Sequence, residues 1–136
     1  MMKQTKYRVI WIDDQRDPMS LFTYWNKVVP KEFLSLVDGH DVEIVWCKSY
    51  DAWVDWSDKW VKEDPNEYVN CFCLDHDLGS YIGDDEKTGY NVAVEICDII
   101  EDYRFKFPYY ECHSSNPSGR DNILSIFETY KKYLIK

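Results

Sequence analysis

The residues Cys71 to Gly79, CFCLDHDLG, run apolar and then stop in Asp75-His76-Asp77. The same change recurs elsewhere. IWI gives way to Asp13-Asp14 and then Arg16, VWC to Lys48-Ser49, and YYEC to His113-Ser114-Ser115-Asn116. Carboxylates crowded together repel one another and raise each other's pKa values, which a divalent cation relieves. Oxygen ligands from Asp13, Asp14 and Asp75 suit a hard ion, Mg²⁺ or Mn²⁺. Recruiting His76 or His113 would shift preference toward Mn²⁺, iron or Zn²⁺. His113, His76 and Asp77 are candidates for proton transfer, because imidazole titrates near neutral pH. The turn HSSNPSGRDN leads into a helix start whose free N–H groups attract anions. There Ser114, Asn116 and Arg120, with Arg16 after the first apolar run, are candidate contacts for a phosphate.

Each of these residues also has a plainer reading. The histidines can bond backbone at strand ends, and Asp77 can cap the loop after it. Arg16 can pair with Asp14 or Asp17, and the serines can serve only their turn. Trp53, Trp56 and Trp60 share one helical face and read as core rather than as a base-stacking surface.

The elements that must position these residues alternate. Tyr7–Ile12, Val42–Cys47, Val69–Leu74 and the weaker Phe107–Cys112 read as strands, with Pro108 tolerated near a strand start. Between them lie helical patterns. Leu21, Trp25 and Val28 share a face up to Pro30, and Phe33, Leu34 and Val37 form a further short helix. Ser49 caps a helix carrying the tryptophans, and Thr88 caps one carrying Val92, Ile96, Ile99 and Tyr103. Ser118 and Asp121 resemble a capping box ahead of Ile123, Ile126, Phe127, Tyr130 and Leu134. Gly79–Gly89 is a polar loop, a candidate lid. Alternating strands and helices give an α/β domain with a parallel sheet and helices on both faces. In such a sheet ligands bind at the carboxyl edge, where all four polar strand ends fall.

Composition narrows the function. The 136 residues fit one domain spanning 1–136. A formal charge of −9 argues against direct nucleic-acid binding, which needs clustered cations, but leaves room for a small anion. No apolar run is long enough to span a membrane, and the first residues lack a signal-peptide cleavage site. The five cysteines contain no C-x-x-C pair and sit in apolar runs. They read as buried thiols in a reducing, cytoplasmic setting rather than as zinc ligands or disulfides.

Four segments carry a resemblance: IDDQRDP (Ile12 to Pro18), LDHDLG (Leu74 to Gly79), TGYNV (Thr88 to Val92) and HSSNPSGRDNI (His113 to Ile123). In this order they are similar to the cyclic-phosphate-processing receiver domains, relatives of the response-regulator receivers. The resemblance implies a flavodoxin-like three-layer fold with a mainly parallel sheet of about four strands, in the order 2-1-3-4. It implies processing or binding of a cyclic phosphate, cyclic nucleotides in bacterial or phage conflict systems among them. It puts Asp13, Asp14 and Asp75 where a receiver holds its Mg²⁺ and phosphate. It puts His76, Asp77, His113, Asn116 and Arg120 where ordinary receivers lack such residues. A receiver also uses a Lys at the end of a fifth strand. After Tyr130 the sequence offers only KKYLIK, leaving Lys48 as a candidate stand-in.

Three functions stay open. One is a metal-dependent phosphoesterase for a cyclic phosphate or cyclic nucleotide. The others are a non-catalytic module that binds such a ligand and a stand-alone receiver-like regulator.

Overall fold

A computed structural model describes residues 5–18 and 28–135. β1 (Lys6–Ile12) is the first strand, and α1 (Lys31–Val37) precedes β2 (Val42–Cys47). Then come α2 (Tyr50–Trp60), β3 (Tyr68–Leu74) and a hairpin of β4 (Ser80–Ile82) and β5 (Asp85–Lys87). α3 (Gly89–Tyr103), β6 (Tyr109–Cys112) and α4 (Pro117–Leu134) complete the chain. The four long-range strands pair in parallel in the order β2-β1-β3-β6, the order expected from sequence.

Alternation along β1 divides the core. Ile10 and Ile12 face one side with Phe72 and Leu74, against Trp53 and Trp60 of α2, Val92 and Ile96 of α3, and Ile123 and Phe127 of α4. Val9 and Trp11 face the other side with Cys71 and Cys73, against Phe33 and Val37 of α1. The sheet is thus covered on both faces, as near-continuous apolar strands require. The expected helix through Leu21 and Trp25 falls outside the described residues. Trp53 and Trp60 are buried and Trp56 packs beside them, so that stripe is core. Arg8 is buried at the amino end of β1 and fully engaged. It makes paired 2.8 Å bonds to Glu63 and a bond from Nε to Asn70.

Two local readings change. The polar loop Gly79–Gly89 holds a hairpin with a two-residue Gly83-Asp84 turn. Gly83 has φ +61 while Asp84 does not enter the positive region. A turn of that form puts Gly first and matches the twist of the strands it joins. The cap of α4 is Asn116, whose Oδ1 accepts from the Gly119 N–H at 3.0 Å, with Pro117 as the first helical residue. Ser118 lies inside the helix because Pro117, lacking an N–H and fixed near helical φ, is suited to that first position. Ser49 and Thr88 do cap α2 and α3.

β6 is an edge strand, and its outer side is blunted. Pro108, just before it, has no N–H to offer. The Cys112 N–H is taken by Oε1 of Glu111 at 3.0 Å, and the Cys112 carbonyl accepts from Arg120 Nε at 3.2 Å.

Candidate functional site

The parallel register places Ile12 beside Leu74 and Leu74 beside Cys112. The ladder continues one step further: the Asp75 N–H bonds the Ile12 carbonyl at 2.8 Å and the His113 N–H bonds the Leu74 carbonyl at 3.0 Å. Asp13, Asp75 and His113 therefore stand in a row at the carboxyl edge.

Asp13 is fully buried. Its Oδ1 accepts the backbone N–H groups of Gln15 (2.9 Å) and Arg16 (3.1 Å), and its Oδ2 is 2.9 Å from His113 Nε2. Burial by itself would raise its pKa. The hydrogen bonds outweigh it and hold the carboxyl below its ordinary value, so Asp13 is a fixed negative charge. The loop after Asp13 is pinned by two indoles. Trp11 Nε1 donates to the Arg16 carbonyl at 2.9 Å, and Trp46 Nε1 donates to the Asp13 carbonyl at 2.8 Å.

His113 is shut into this framework. Its side chain is 3% exposed, its ring lies flat on Trp11 with centroids 4.1 Å apart, and its carbonyl accepts from Arg16 at 3.0 Å. Nδ1 has no hydrogen-bond partner among the described residues. The ring is thus held between Trp11 and Asp13, with Nε2 turned to the Asp13 carboxyl.

Asp75 behaves oppositely to Asp13. Burial first, and then the negative charge of Asp13, push its pKa up; His113, the Ser114 side chain and the His76 N–H offset part of this. One oxygen from each of Asp13, Asp14 and Asp75 lies within 4.8 Å of the others. Oxygen ligands on one ion sit at most about 4.2 Å apart for Mg²⁺ and about 5.2 Å apart for Ca²⁺, so this span needs little contraction to hold a hard divalent cation. The all-oxygen donor set and the mutual repulsion recorded in Asp75 fit the same kind of ion.

Asp14 and Asp75, but not the buried Asp13, open onto a cavity of about 450 Å³, lined also by Arg16, Asp77, Glu86 and Ser115 among others. That is within the size range of ligand clefts. Arg16 is the cation among its described lining residues. Gly79 (φ +59) turns the chain beside Asp14, where a Cβ would stand 3.3 Å from Oδ2.

The remaining candidates divide. His76 and Asp77 are paired, Nδ1 to Oδ1 at 2.8 Å, and Asp77 is 58% exposed and lines the cavity. The His76 ring sits against the first turn of α4. A Cβ at Gly119 would come within 2.4 Å of it, so only glycine fits there without moving the ring. Ser114 accepts the Asn116 N–H at 3.0 Å and bonds Asp75, while Ser115 faces the cavity. Asn116 is occupied as the α4 cap. Arg120 is not brought to the acids. Its guanidinium holds the Cys112 carbonyl and approaches Glu111 at 3.3 Å, on the outer side of β6. That position follows from its place one turn into α4, above the strand that feeds it. Lys48 lies over the Trp46 ring at 4.2 Å and does not line the cavity.

Sequence reasoning missed three contributors. Gly89 starts α3 so close to β3 that a Cβ would stand 1.9 Å from the Asp75 carbonyl oxygen. Gly119 makes room for His76, and Glu86 reaches the cavity from the hairpin. The first was legible in TGYNV as a glycine directly after a cap. The last was legible in the Gly-Asp pair between two short strand-like runs.

A parallel sheet ordered 2-1-3-6, with an acid pair after its central strand and a further acid on the neighbouring one, defines a receiver-like α/β domain. A sequence model of the cyclic-phosphate processing receiver domains matches residues 8–129, nearly the whole chain, and the protein belongs to that family. No curated protein and no solved structure matches the chain. Among the described residues no helix is long and apolar enough to cross a membrane.

Proposed function

We propose that this domain hydrolyses a cyclic phosphate, in the presence of a divalent cation, at the carboxyl edge of its sheet. The observation that carries this reading is the clustering of Asp13, Asp14 and Asp75, with Asp14 and Asp75 on the wall of a cavity that Arg16 also lines and Asp13 buried behind them. The three carboxylates would hold the ion, which when bound supplies charge neutralisation for the phosphate and acidifies water. Hydrolysis adds water across one P–O ester bond: a base takes one proton from the water, and the departing alkoxide gains one, leaving a phosphomonoester. Arg16 faces the phosphate oxygens with a fork of N–H donors. The His76–Asp77 pair handles protons, since a carboxylate at Nδ1 orients the ring and leaves Nε2 as the exchanging atom. His113 keeps Asp13 ionised and in place.

One observation favours a second reading, capture of the ligand without turnover. His113 is buried and already committed to Asp13, which leaves a single histidine for proton transfer at this edge. The test is incubation with a panel of cyclic mono- and dinucleotides with Mg²⁺ or Mn²⁺, following binding and product together. A linear phosphomonoester, absent with Asp75→Asn, supports hydrolysis. Tight binding of unaltered ligand supports capture. Neither binding nor product, with either ion, refutes both.

A further inference from the structure

The β4–β5 hairpin stands beside the acid cavity with two large apolar side chains in solvent: Tyr81 is 64% exposed and Ile82 53% exposed. Its register decides which of them faces the cavity. Tyr81 pairs with Glu86, while Ser80 pairs with Lys87 and Ile82 with Asp85. Residues directly opposite in an antiparallel pair share a face, and successive residues alternate faces. Ser80 and Lys87 turn toward the start of α2. The Ser80 hydroxyl accepts the Tyr50 N–H at 3.2 Å, and Lys87 Nζ lies 5.8 Å from the Tyr50 ring. Ile82 and Asp85 share that face. Glu86 points the other way and lines the cavity with Asp75 and Arg16, so Tyr81 is one cross-strand step from the cavity wall.

We propose that Tyr81 is a stacking platform for a nucleobase, so that the cyclic phosphate taken by this site is a cyclic nucleotide. This rests on the reading of the cavity as the phosphate site. The hairpin is anchored directly before that platform: Gly79 bends the chain past Asp14, and the Ser80 hydroxyl ties the strand to α2. An exposed aromatic ring on a short, tethered hairpin keeps its face in water until a planar partner covers it. Base–aromatic stacking is sequence-tolerant, because every base has a π-face. Glu86, on the same face, adds an acceptor for an exocyclic amino group. Arg16, Asp14 and Asp75 line the same cavity as Glu86, so the phosphate and the base of one nucleotide meet different chemistry.

The test compares two probes in Mn²⁺ buffer by calorimetry: 2′,3′-cyclic AMP, and glycerol cyclic phosphate, which has the ring phosphate and no base. The proteins are wild type, Tyr81→Ala, Tyr81→Phe and Ile82→Ala. The expected result is a wild-type preference for the nucleotide that Tyr81→Ala lowers by roughly 5- to 150-fold, the range for losing one base–aromatic stack. Tyr81→Phe keeps the preference and Ile82→Ala, on the opposite face, leaves it unchanged. Equal affinity of wild type for both probes, or a preference that survives Tyr81→Ala, overturns the platform while the phosphate site stands. Binding of neither probe to wild type overturns the phosphate site and the platform with it.

Discussion

Replacing Gly89 with alanine tests how tightly α3 is set against the end of β3. The new Cβ would lie 1.9 Å from the Asp75 carbonyl oxygen, 2.9 Å from its carbon and 3.1 Å from His76 Cα. Those are backbone atoms and cannot rotate away. Ordinary carbon–oxygen contact is more than 1 Å longer, so either the first turn of α3 lifts or the strand end carrying Asp75 moves. Both weaken the 2.7 Å bond from the Gly89 N–H to the His76 carbonyl. Overpacking costs about 1–3 kcal/mol, and a clash with backbone belongs at the top of that range. Against it stands a gain of up to about 1 kcal/mol for alanine over glycine in a helix. The net loss is about 2 kcal/mol. At about 2.1 cal/mol/K of unfolding entropy per residue, a 136-residue chain then loses roughly 7 °C in Tm. The assay is thermal unfolding by circular dichroism, repeated with Mn²⁺, since a displaced Asp75 also blunts any metal response. A Tm equal to or above that of wild type would refute the close approach and the role assigned to Gly89.

Titrating Mn²⁺ or Mg²⁺ should raise the wild-type Tm by linkage, and Asp75→Asn should lose that response. Because folding raises the Asp75 pKa, its charge opposes folding increasingly as pH climbs from the unfolded value through the folded one. Metal-free Asp75→Asn should therefore melt above wild type at pH 7; a lower melting point contradicts the assigned repulsion. Arg120→Ala should cost about 0.5–1.5 kcal/mol for its bond to the Cys112 carbonyl, with little added by its part-exposed pair with Glu111. Cyclic-nucleotide affinity should hold in that variant, and a selective loss of affinity in isothermal titration would return Arg120 to the site. Burial pushes the thiols of Cys47 and Cys97 up to about 12 and that of Cys112 up to about 11. All five cysteines are buried and free, so a thiol reagent at pH 8 should find none that react fast in the native state and five in denaturant.

Much of the framework was readable because it rests on local signals. Val42–Cys47 is bounded in the structure as its apolar run suggested, and Ser49 and Thr88 cap their helices as hydroxyl residues before helical patterns do. Alternating strands and helices made the sheet parallel, and parallel register then carried Asp13, Asp14 and Asp75 together. What stayed hidden depends on side-chain direction across long separations. Asp13 and His113 are 100 residues apart, and their bond depends on how a ring packs on Trp11. Arg120 shows the converse. Its position beside a helix start suited an anion, yet an unpaired carbonyl on the edge strand lay within reach of its guanidinium, and that contact is internal. Gly119 reads as an ordinary helix residue until the His76 ring is placed against it.

Two of the six tryptophans hold the loop that carries Asp13, Asp14 and Arg16, each through its indole N–H. Indole N–H protons resonate apart from backbone amides in a nitrogen-correlated NMR spectrum, so this loop comes with its own pair of labels. An ion drawn to Asp13 changes the carbonyl that Trp46 grips, and an anion drawn to Arg16 changes the one that Trp11 grips. Trp53, Trp56 and Trp60, packed with Phe72 beneath α2, supply steady reference signals in the same spectrum. Occupancy of either half of the cleft is thus readable separately, without attaching a probe to the protein.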